Sequence, residues 1–210
     1  MAILKMKESC VKPVVFAVTA LFLVGTAIFF SPIQIPHKLC IPMGIIALSS
    51  FWLTPWEVAL ALVFSLIGDY AGSCHNFMSQ MGSFAVAHIF YICDFWPKRR
   101  YTAGGLIGVS ALVAAATLYL MHILPSVEPE AFRYAIVAYA AIIAVMASGA
   151  ILQERPYRAW YIVAATLFVF SDGAIAYGMA MGQPTTLVVM PTYYAAQAIF
   201  TVLYMLRKKA

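Results

Sequence analysis

Apolar positions in this chain do not alternate with polar ones. They run on in stretches as long as a bilayer crossing. A hydrocarbon core takes about 20 apolar residues of helix, and eight stretches near that length can be drawn: 13–30, 38–53, 56–73, 77–96, 102–123, 132–152, 158–180 and 187–206. The second is the shortest and its bounds are the least defined. Lipid offers no water to unpaired backbone groups, so a crossing segment is a helix or part of a closed barrel. Unbroken apolar runs exclude the two-residue alternation of a barrel strand. The connections are short and several carry Pro or Gly, as in SPIQIPH, LTP, LPSVEPE and MGQPTT. The pattern predicts an all-α integral membrane bundle of eight transmembrane helices, a single domain over residues 1–210. The first run follows lysines but lacks a small-x-small cleavage site, so it is expected to be retained.

An internal repeat also fits the pattern. LVFSLIGDYA around Asp69 echoes LFVFSDGAIA around Asp172, half a chain apart. The predicted third and seventh helices run in the same direction, as a parallel four-plus-four repeat requires.

Composition agrees with lipid as the solvent. The 210 residues are 64% hydrophobic and 10% charged, whereas a soluble domain is about a quarter charged. The net charge of +5 raises a nucleic-acid partner, but the placement of the charges excludes that reading. Eight crossings put both termini on one side, with Lys5, Lys7, Lys12, Lys98, Arg99, Arg100, Arg155, Arg158, Arg207, Lys208 and Lys209. The other side holds Lys38 and Arg133, with Glu128 and Glu130. That bias predicts cytoplasmic termini. The four cysteines show no metal-ligand spacing. Cys40 and Cys74 both fall near outer helix ends, where a disulfide and two separate thiols are both compatible with the sequence.

Polar residues deep in the runs carry the chemistry. Ser65, Asp69, Ser73 and Asn76 recur at helical spacing on the third run, and Phe84, His88, Tyr91 and Phe95 on the fourth. Asp172 follows Ser171 on the seventh, and Tyr193, Tyr194, Gln197, Thr201 and Tyr204 mark the eighth. At about 1.5 Å per residue, Asp69 and Asp172 each lie about 20 Å from the inner boundary. His88 and Gln197 reach similar depth, so the four are expected to meet in one cavity. A carboxylate at that depth costs a few kcal/mol and faces the bundle interior. Two carboxylates close together titrate as a coupled pair, which supplies an acid and a base from one residue type.

Plainer readings weigh against some of these residues. Intramembrane Ser65 and Thr201 can simply bond their own helix. The tyrosines serve equally as packing or belt residues, and His88 as an interhelical hydrogen bond. Asp94 reads as a surface partner of Lys98 or Arg99, and Glu57 as a complement to a helix dipole.

In order along the chain, HKLCIP, FSLIGD (Phe64, Ser65, Gly68, Asp69), FMSQMGSFAVAHIFYICDF (Phe77, Gly82, Phe84, Ala87, His88, Tyr91, Phe95), FVFSD (Phe170, Ser171, Asp172) and TYYAAQ (Tyr193, Tyr194, Gln197) resemble the YhhN / TMEM86 family of eight-span membrane proteins. Gly173 departs from the hydroxyl residue common there. The resemblance implies a lysoplasmalogenase: a hydrolase that cleaves the vinyl ether bond of a lysophospholipid with one alkenyl chain, giving a fatty aldehyde and a glycerophospho-ethanolamine or -choline. By motif, Asp69 and Asp172 are the catalytic pair.

That reaction asks for a proton on the β-carbon of the enol ether and then for an activated water, much as a glycosidase asks of its two carboxyl groups. Either aspartate can take either role. His88, Tyr91, Tyr194, Gln197 and Ser65 are the candidates for holding water or substrate oxygens. Lys38 reads either as a phosphate contact or as a snorkelling lysine. No cofactor is expected, and no metal, because His88 is the one deep histidine and a zinc site wants several ligands converging. The competing class is a proton- or cation-coupled transporter built on the same two aspartates.

Overall fold

The structure is a computed structural model. It describes residues 8–207, with side chains from residue 12 onward. Lys5, Lys7, Lys208, Lys209 and the Cys10 side chain lie outside that range.

Among the described residues, eight α-helices follow the eight apolar runs: α1 (Glu8–Phe30), α2 (Cys40–Leu53), α3 (Trp56–Ser73), α4 (Phe77–Phe95), α5 (Ala103–Ile123), α6 (Glu130–Leu152), α7 (Arg158–Met181) and α8 (Thr186–Arg207). Short 3₁₀ turns at Trp96–Lys98 and Leu124–Ser126 follow α4 and α5. Local chemistry sets the ends. His37 at φ 53° delays α2 to Cys40, and Pro55 closes the α2–α3 connection just before Trp56. Thr102 caps α5 by accepting from the Gly105 N–H at 3.1 Å. Asn76 does the same for α4, its Oδ1 accepting from the Ser79 N–H. Gly182, in the left-handed region at φ 62°, ends α7 and returns its N–H to the Gly178 carbonyl.

Five helices are long and apolar enough to cross a membrane among the described residues: Lys12–Phe30, Ala103–Ser126, Glu130–Leu152, Arg158–Met181 and Thr186–Arg207. α2 is shorter, at 14 residues, and polar residues interrupt α3 and α4. Large apolar side chains such as Phe16, Ile107, Leu118, Met121, Trp160 and Leu187 stand exposed on these helices. That surface suits lipid and makes this a multi-pass membrane protein.

The chain forms two compact units. In the first, made of the residues up to Tyr91 and those from Ala198 on, α2 packs against both α1 and α3. Tyr91 of α4 packs in an aromatic cluster with Phe200 and Tyr204 of α8, at centroid distances of 5.0 and 6.4 Å. Gly68 lets α3 approach α4 closely, since an added Cβ would lie 3.0 Å from the Phe84 ring. Gly68→Leu should therefore overpack this contact and cost about 1–3 kcal/mol, read as a lower unfolding temperature in detergent. Gly44→Ala is the control, because a Cβ there meets nothing within 4 Å.

In the second unit, residues Ile92–Gln197, α6 packs against α5 and α7. The connections after α4 and after α6 pair through a single antiparallel bridge, Arg99 with Gln153. The Arg100 N–H donates to the Leu152 carbonyl, and the Glu154 N–H to that of Lys98. Asp94 differs from its sequence reading. It is buried, and its main partner is Arg155, whose Nη1 donates to Oδ2 at 2.5 Å while Nη2 reaches the Asp94 carbonyl. Lys98 is a distant second at 4.0 Å, with a side chain far more exposed than that of Arg155.

Candidate active site

In the second unit, α5, α6 and α7, with Thr185 and Val188, line a half-open cavity of about 610 Å³, within the range of small-molecule sites. Its walls follow helical spacing. α6 contributes Ile136, Tyr139, Ala140, Ile143 and Ala144, and α5 contributes Leu112, Ala115, Ala116, Tyr119 and Leu120. Both sets step i, i+3, i+4, i+7, i+8, which is one continuous face. Alanines at four of these ten positions leave the space that larger side chains would fill. The lining is almost wholly apolar, and Asp172 of α7 is set into it.

Asp172 is held there by a residue the sequence reading did not single out. The Tyr139 hydroxyl donates to Asp172 Oδ2 at 2.6 Å. One residue on, the Tyr119 hydroxyl donates to the Gly173 carbonyl at 2.5 Å. Two phenols from two helices thus bond consecutive residues of α7. Tyr139 lies about nine residues, or about 14 Å, into its helix, and in the sequence it looks like any packing tyrosine of an apolar run.

The neighbouring sequence candidates in this unit form a second polar group. Ser171 is fully buried and donates to the Val189 carbonyl at 3.2 Å. Gln197, also fully buried, donates through Nε2 to Tyr193 Oη at 3.3 Å. The Tyr193 ring lies 5.5 Å from that of Tyr194 and 5.9 Å from Phe168. These contacts tie the start of α8 to α7.

In the first unit, Asp69 is 3% exposed and shares its helix face with Ser65, which is also buried. His88 and Tyr91 are buried on one face of α4, one turn apart. Ser73 and Asn76, placed by spacing on the face of Asp69, have structural duties. Ser73 Oγ donates to the Tyr70 carbonyl and lies 2.6 Å from His37 Nδ1, and Asn76 caps α4. Lys38 Nζ donates to the carbonyls of Ser31 and Ile33, at 2.9 and 3.3 Å, and lies over the Phe29 ring. Its amine thus closes the end of α1. Cys40, Cys74 and Cys93 are free thiols. Among the described residues no three His, Cys, Asp or Glu side chains converge as a metal site would require.

The arrangement offers a carboxyl group, fixed by a phenol, at the wall of an apolar chamber. It can exchange protons with a ligand that is mostly hydrocarbon.

A human protein named lysoplasmalogenase TMEM86B is 32% identical over 148 residues, which is 67% of this chain. The chain spans 60% of that relative's own length. No solved structure matches. The profile of the YhhN family matches residues 38–203, including both deep aspartates. The chain belongs to the YhhN family.

Proposed function

We propose that this protein is a membrane-embedded hydrolase of lysoplasmalogens, which cleaves their vinyl ether bond by carboxylate acid–base catalysis. The observation that carries this reading is Asp172, fixed by Tyr139 at the wall of the 610 Å³ apolar cavity. The name of the human relative supports the substrate class. One of Asp69 and Asp172 gives a proton to the β-carbon of the enol ether, which leaves an oxocarbenium ion. The other takes a proton from the water that adds to that ion, and the hemiacetal collapses to a fatty aldehyde and the glycerophospho headgroup. His88, Tyr91, Tyr194, Gln197 and Ser65 orient water or substrate oxygens. Hydrocarbon walls hold the alkenyl chain. The shorter α2 and the more polar α3 and α4 complete eight crossings, with both termini on the cytoplasmic side where the basic residues gather.

The test is release of free aldehyde by purified protein from a lysoplasmalogen, with the saturated ether and the ester lysolipid as comparisons. Aldehyde should come from the vinyl ether alone, and Asp69→Asn should slow its release at least about 100-fold. Equal turnover of the ester would remove the proposed specificity. No aldehyde, with aspartate-dependent proton or cation flux in liposomes, would make the protein a transporter instead.

A further inference from the structure

The proposed reaction needs one carboxyl group to give the first proton and another to take one from water. Resting on that reading, we infer that Asp172 is the base, and that Tyr139 is the residue that positions it. The Tyr139 O–H donates to Oδ2 at 2.6 Å, and a donor held on that oxygen suits a group that is to accept a proton rather than give one.

Tyr139 lies mid-way along α6, on the face that lines the cavity with Ile136, Ala140 and Ile143. Tyr119 secures the next residue of α7 by its carbonyl. The turn of helix that carries Asp172 is therefore pinned from two sides. A base fixed in this way needs no reorientation when water attacks, and misplacement by about 1 Å can cost 100-fold in rate.

Water oxygen bonds to the oxocarbenium carbon while one water proton passes to the Asp172 carboxylate, giving a neutral hemiacetal and a carboxylic acid. As the C–O bond to glycerol breaks, its electron pair stays on the glycerol oxygen, which takes that proton from Asp172. The hemiacetal hydroxyl proton returns to the group that gave the first one. Asp172 ends as a carboxylate, again bonded to Tyr139.

Tyr139→Phe, in the full chain with a lysoplasmalogen, should lower kcat about 10-fold or more and leave KM within about twofold, because the lost contact acts on the reacting group rather than on substrate binding. A second readout does not depend on turnover. A hydrophobic carbodiimide should modify Asp172 several-fold faster in Tyr139→Phe than in the unaltered chain, since the phenol no longer occupies Oδ2; peptide mapping reads this directly. Equal modification rates would show that the bond does not control this carboxyl group and would overturn the inference. So would faster modification with kcat unmoved. If the unaltered chain releases no aldehyde, the hydrolase reading falls and takes the base role with it, while the modification rates still decide the contact between Tyr139 and Asp172.

Discussion

Asp172→Asn should slow aldehyde release from a lysoplasmalogen at least about 100-fold, the lower end of what a positioned acid or base contributes, and should leave the protein folded. The amide is nearly the same size as the carboxyl group, and its oxygen can still accept from Tyr139. The cavity wall is therefore kept. What is lost is the capacity to take up and return a proton. The check is a coupled aldehyde assay on the purified variant, beside its elution profile and unfolding temperature. A folded variant that keeps more than about a third of the activity would remove Asp172 from the chemistry, since that is far below the effect of a missing acid or base.

The largest effect on stability is expected at Arg155. Its side chain is 4% exposed and that of Asp94 6%. The guanidinium also lies over the rings of Phe95 and Tyr161, at 5.7 and 5.8 Å, which themselves meet edge to face. Removing one member of a buried ion pair leaves the other charge desolvated, so Arg155→Ala should cost about 3–5 kcal/mol. Lys98, at 4.0 Å from the other carboxylate oxygen and with a side chain 44% exposed, is poorly placed to substitute. The contrast is the pair of Arg100 and Glu154, 2.6 Å apart but with both side chains more than half exposed. Breaking that pair by Arg100→Ala should change stability by no more than about 1 kcal/mol. Thermal unfolding of both variants in the same detergent separates the two cases. Similar losses would mean that burial does not govern this cluster.

Helix positions were legible because membrane helices are long and their interruptions are chemical. α3 begins after Pro55 and ends in the polar SCHN segment, so both of its bounds could be read from sequence. α2 was harder, because the left-handed turn at His37 is not encoded by Gly or Asn. Asp172 was legible from the cost of a deep carboxylate. Its partner Tyr139 was not, since a tyrosine in an apolar run is usually packing or belt. Only the pairing of α6 with α7 brings its hydroxyl to the carboxylate. Asp94 shows the same limit. Spacing along one helix points to Lys98, while the partner that buries it is on the connection after α6. The cavity was not legible either. Alanine-rich runs such as ALVAAATLYL and AIVAYAAIIA announce small side chains, but only the helix faces they occupy decide whether these make close packing or open space.

The central claim is that a carboxyl group protonates carbon in a vinyl ether. Turnover of a lysoplasmalogen in D₂O tests it most directly, because exchange loads the acid with deuterium before it reacts. The expected product is a fatty aldehyde with one deuterium on the carbon next to the carbonyl, and far less of it from Asp172→Asn. Aldehyde formed without that deuterium, or no aldehyde at all, would contradict it.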